Sequence, residues 1–83
     1  MRMPTILRFR GFLIGIWFND HPPAHVHARK GRDFAVFELN CDGGVVEYRE
    51  SRGIAAPDIS AIQRFIEENR DILCAAWREL HGN

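Results

Sequence analysis

The hydrophobic period of this chain changes once, and the change divides it into two kinds of structure. From Asp58 onward, Ile59, Ile62, Ile66, Leu73, Ala76, Trp77 and Leu80 recur at spacings near three and four, the stripe of an amphipathic helix. Before that point, short runs rich in β-branched and aromatic residues are punctuated by turn residues, which predicts strands. The expected strands cover 5–10, 12–18, 24–30, 34–39 and 45–50. Gly11, the Asn-Asp-His-Pro-Pro loop, Lys-Gly-Arg-Asp and Asn-Cys-Asp-Gly-Gly separate them. No crossover helix lies between strands, so the pairing is expected to be antiparallel. Pro57 and Asp58 offer a helix start, with Asp58 as a cap for free amides, and Gly82 offers a stop. A helix over about 58–80 would run about 34 Å at 1.5 Å per residue. Trp77 anchors its far end on the apolar stripe, where packing is the expected role. Asn69 falls on the same stripe, placed to bond strand backbone or to mark a polar point at the interface.

The expectation is one α+β domain spanning 1–83: an antiparallel sheet of four to five strands with one long C-terminal helix packed on one face. A single helix leaves the other sheet face open. Yet the second strand carries Phe12, Ile14, Ile16 and Phe18 on one side and Leu13 and Trp17 on the other, and the fourth is apolar on both sides too. Strands of this kind are normally buried on both faces. A homodimer is the simplest cover, and a core as thin as 83 residues allow would gain from it.

Eleven basic residues balance eleven acidic ones, so nothing draws the whole molecule to nucleic acid or an anionic membrane, and such binding would need a local patch. The first ten residues are charged and too short in apolar run for a signal peptide, and no stretch approaches a membrane span. A cytoplasmic location follows as the expectation. Cys41 and Cys74 lie far apart without a paired motif, which favours packed thiols in a reducing compartment over a disulfide or metal pair.

Chemistry concentrates in residues 19–30, Asn-Asp-His-Pro-Pro-Ala-His-Val-His-Ala-Arg-Lys. On a strand His25, His27 and Arg29 project from one face, because side chains alternate, and Val26 turns toward the helix. Three readings compete. His-x-His suits zinc, iron or manganese, with a third ligand from His21 or Asp20; against it, no carboxylate has an assured place and Arg29 adds positive charge. Histidine can instead move protons near neutrality while arginine grips a phosphate through two parallel bonds. The third reading is structural, with His21 holding the loop and His25 and His27 pairing across strands or lining a dimer seam.

Arg29 in the row favours the second reading. His25 and His27 are then acid–base candidates, His21 a supporting group, and Arg29, Lys30 and Arg32 the phosphate-binding set, with Arg8 or Arg10 nearby. No metal or other cofactor is assigned. Trp17 and Phe37 offer stacking surfaces for a base, although core packing is the simpler role. Arg49 and Ser51 share a face if the last strand persists, beside Arg52; Glu47 and Glu50 are expected to pair with these arginines across strands. The alternating histidines are superficially similar to histidine-triad nucleotide hydrolases, but Arg29 stands where the third alternating histidine belongs, and the match fails.

The opening residues 3–11, the His-Pro-Pro-Ala-His-Val-His-Ala run with Lys30-Gly31, and the terminal Ile-Glu-Glu-Asn-Arg with Trp77 resemble a small bacterial and archaeal family labelled as a domain of unknown function, number 4160. Ala24 stands where a third proline is common in that family. The resemblance implies a short protein often encoded beside a second small gene of unknown function, an arrangement similar to a toxin–antitoxin pair; it implies no catalytic residue. The combined expectation is a component of such a module that binds or cleaves RNA through the His/Arg face without metal. The alternatives are a non-catalytic module for a partner protein or phosphorylated small molecule, and a metal-dependent enzyme.

Overall fold

Two-residue hairpins make two of the four strand connections in the sheet. The structure, a computed structural model, describes residues 3–82. β1 (Thr5–Phe9), β2 (Phe12–Gly15), β3 (His25–Lys30), β4 (Asp33–Glu38) and β5 (Glu47–Arg52) pair antiparallel in chain order. Arg10 and Gly11 turn β1 into β2 with φ of 52° and 82°, the two left-handed residues that a twisted hairpin requires. Gly31, at φ 61°, begins the turn that pairs Lys30 with Asp33.

β2 is shorter than the 12–18 run. Beyond Gly15 the chain leaves β3, and the Ile16 amide donates to the Pro4 carbonyl at 3.2 Å. A Cβ on Gly15 would collide with that carbonyl, so glycine here lets the N-terminal segment lie against the strand. β5 begins two residues later than the 45–50 run suggests. The backbone of Val46 is taken by helix side chains: its amide donates to Glu67 Oε1 at 2.7 Å, and its carbonyl accepts from Gln63 Nε2 at 3.0 Å.

The helical region is two helices, α1 (Ala56–Glu68) and α2 (Arg70–His81), and the expected single helix is corrected accordingly. The cause is Asn69. Its side-chain amide donates to the Phe65 carbonyl at 2.8 Å, and its backbone leaves helical geometry at φ −115°, ψ 19°. Asparagine offers its own turn a competing hydrogen bond; it bonds its own helix, and no strand backbone. Asp58 is not the cap. Ala55 holds that position, while Asp58 lies in the first turn, where its negative charge complements the positive end of the helix dipole and meets Arg10 at 3.5 Å. Gly82 ends α2 at φ 77°, as expected.

Both helices lie on one sheet face. Ile14, Val26, Ala28, Ala35, Phe37 and Leu39 are buried against Ile62, Ile66, Leu73 and Trp77. Cys41 and Cys74 form a disulfide, with Cα atoms 5.9 Å apart, which corrects the expectation of free thiols. The turn after β4 brings Cys41 onto α2 within bridging range, a proximity that a sequence separation of 33 conceals. None of the described helices is long and apolar enough to cross a membrane.

Candidate metal centre

Trp17 and Asp20 lock each other in a short turn at the head of the proline loop. The Trp17 amide donates to Asp20 Oδ2 at 2.9 Å, and the Asp20 amide donates to the Trp17 carbonyl at 3.2 Å. An aspartate side chain that bonds nearby backbone in this way is held in one orientation. The loop closes where Leu39 of the segment after β4 donates to the Ala24 carbonyl at 3.0 Å. β3 then presents His25 and His27 away from Val26 and Ala28, which are fully buried on the helix side.

The two imidazoles converge on one carboxylate. His25 Nε2 lies 3.3 Å from Asp20 Oδ1, and His27 Nε2 lies 3.2 Å from Oδ2. His25 is 6% exposed. Its other nitrogen, Nδ1, is 2.8 Å from the Pro23 carbonyl. A carbonyl only accepts, so Nδ1 carries the hydrogen and the neutral ring has a bare lone pair on Nε2. That lone pair faces a carboxylate oxygen. Two acceptors at this distance repel unless a proton or a cation lies between them.

Burial pulls the His27 pKa below the ordinary histidine value; Asp20 opposes this, while His25 and Arg49 add to it. A neutral imidazole is the form that ligates metal. The spacing fits an ion as well. With bonds of about 2.1 Å, two ligands on a tetrahedral zinc lie about 3.4 Å apart. One donor atom from each of Asp20, His25 and His27 fits within a 4.8 Å mutual spacing. Pro23 would serve as the partner that fixes the orientation of a ligating histidine. Trp77 of α2, its ring centroid 5.3 Å from that of His25, walls the centre on the helix side.

The other residues singled out in the sequence are not all brought here. His21 lines the same cleft, of about 570 Å³, with Trp17, Asn19 and Arg49. Arg29 is exposed and lies over the Trp17 ring at 5.7 Å, and Trp17 meets the His27 ring edge-on at 6.2 Å. Lys30 lies against Phe12, Arg32 occupies the β3–β4 turn, and Arg10 pairs with Asp58 on the helix side. Phe37 is fully buried.

A β-bulge decides where Arg49 goes. Val36 pairs with Glu50 and Phe37 with Tyr48, which leaves Arg49 as the extra residue. Tyr48 and Ser51 therefore share the helix-side face and bond at 2.8 Å, so Arg49 and Ser51 do not share a face as expected. The expected pairing of the β5 arginines with Glu47 and Glu50 is also absent among the described residues: no described carboxylate lies within ion-pair distance of Arg49. Asp20 was legible as one of two loop candidates for a third ligand. Arg49 and Trp77 were not, because neither a bulge nor a helix end contacting a strand mouth leaves a local signal.

The family model for a domain of unknown function (DUF4160) matches residues 11–78, and the chain belongs to that family. No curated protein and no solved structure matches it.

Proposed function

We propose that this member of the DUF4160 family binds one divalent transition-metal ion through Asp20, His25 and His27 and acts as a metal-dependent enzyme. The observation that carries the reading is the convergence of two imidazole nitrogens on one carboxylate, His25 Nε2 at 3.3 Å and His27 Nε2 at 3.2 Å from Asp20, with His25 Nδ1 already committed to Pro23. Two histidines and one carboxylate suit zinc, iron or manganese, and three protein ligands leave coordination positions for water or substrate. An ion held there supplies Lewis-acid polarisation of a bound oxygen. The chain's own contribution is the locked carboxylate, the fixed His25 ring and the wall of Trp77. Titration calorimetry of tag-free protein with zinc and manganese tests this. The expected result is one ion per chain, with affinity at least 100-fold weaker in His27→Ala; no saturable uptake by the wild-type chain overturns it.

A second reading keeps the expected RNA chemistry without metal. It is favoured by Arg29, which lies over Trp17 on the same face as His27 and so sets a phosphate clamp beside an aromatic ring. In this reading His27 moves protons; His25 has both nitrogens engaged within the protein and serves as support. The two readings separate in a chelator: RNA cleavage that survives complete metal removal favours the second. A toxin role in a two-gene module would show as growth arrest on expression, relieved by the neighbouring gene product. Self-association through the open sheet face, where Leu13 is exposed, is read out by sedimentation. Cytoplasmic placement is the expectation that the disulfide strains most, because reducing compartments keep such pairs open.

A further inference from the structure

We propose that Arg49 makes the cleft beside the metal centre a receptor for a phosphoryl group, held between the Asp20–His25–His27 ion and the Arg49 guanidinium. The proposal rests on the metal reading and extends it to the class of ligand. Three observations meet at Arg49. The bulge in β5 leaves it as the extra residue, outside the paired register; bulges are common next to working sites. It lines the cleft together with Asp20 and His25. Among the described residues it has no carboxylate partner, although Glu47 and Glu50 flank it in sequence. Glu47 is bonded instead by Asn40 at 3.1 Å.

An unpaired cation next to a cation site works against the ion. A dianionic ligand between the two reverses that penalty, because each cation then attracts it. The ligand's shape follows from the donors. A guanidinium offers two parallel N–H groups matched to two oxygens of one group, and the ion takes a third oxygen. A carboxylate has only two oxygens, whereas a phosphoryl group has three. Trp17 lines the cleft beside these groups and offers an apolar surface to the remainder of an ester.

The test is calorimetric titration of phenylphosphonate, a non-hydrolysable phosphoryl probe, into protein loaded with one equivalent of manganese. The wild type is expected to bind it at least 10-fold more tightly than benzoate. Arg49→Ala is expected to lose at least 10-fold of the phosphonate affinity while retaining one ion per chain, and Arg49→Lys to recover only part, since it restores charge without the fork. Undiminished affinity in Arg49→Ala, or equal affinity for benzoate, overturns the proposal. Failure of the metal reading appears separately, as no manganese uptake by the wild type. The same titration of the metal-free chain then decides: Arg49-dependent binding supports the anion site, and absence of binding overturns it. Uridine monophosphate against a 5′-phosphorylated oligouridylate identifies the source of the phosphoryl group, and preferential binding of either supports the proposal.

Discussion

The two faces of β3 put opposite chemistry one residue apart. Val26 and Ala28 are sealed against the helices and contribute only packing, while His25 and His27 on the other side form a polar centre around Asp20. The difference teaches that the rigidity of the centre comes from the face that does no chemistry. A histidine pair on a strand is positioned as well as the strand is, and this strand is central in the sheet with a dry core behind it. The carboxylate, by contrast, comes from a loop and is held by its bonds to Trp17.

Breaking the apolar side should therefore destroy both faces. Phe37→Ala, at a fully buried position, is expected to cost about 3–5 kcal/mol, seen as a lower urea midpoint, and to remove metal uptake along with the fold. Opening the Cys41–Cys74 bond, or replacing both residues with serine, releases a 33-residue separation and is expected to cost about 2–4 kcal/mol. Thermal melts with and without reductant measure it. Because α2 carries both Cys74 and Trp77, the wall beside His25 should loosen at the same time.

On the polar side the same experiments should dissociate stability from function. His27→Ala is expected to change the unfolding free energy, read from urea denaturation, by about 1 kcal/mol or less, with metal affinity lost. A fall in stability as large as that of Phe37→Ala would erase the contrast between the faces. The smallest effect concerns pH. His27 is held below its unfolded pKa near 6.5, so the folded metal-free chain binds fewer protons than the unfolded chain. This contribution is fully present above about pH 6.5 and is lost as pH falls through the folded value. Denaturation of the metal-free chain across that range should show the loss, and His27→Ala should flatten it.

The sheet, its antiparallel pairing and the helix-facing side of β3 were legible because period-two alternation and turn residues are local signals, whereas the strand order was not. Asn69 was legible as an oddity on the stripe but not as a break, since the apolar period continues from Ile66 to Leu73 across it. The disulfide was hidden because bridging depends on where the turn after β4 lands on α2. In the candidate site, the histidine pair was plain from spacing. The choice between Asp20 and His21, and the arrival of Arg49, depended on a loop turn and a bulge. Arg29 suggested an anion clamp from its position in the row, but the arginine that lines the cleft comes from β5.

The most direct test of the centre is long-range ¹⁵N correlation spectroscopy of the histidine rings, followed during addition of one equivalent of zinc. The expected result is that His25 keeps its proton on Nδ1 throughout while the Nε2 resonances of His25 and His27 move together with the ion. A His25 ring doubly protonated at neutral pH, with neither Nε2 responding to zinc, would mean that a proton fills the gap beside Asp20 and would contradict the account.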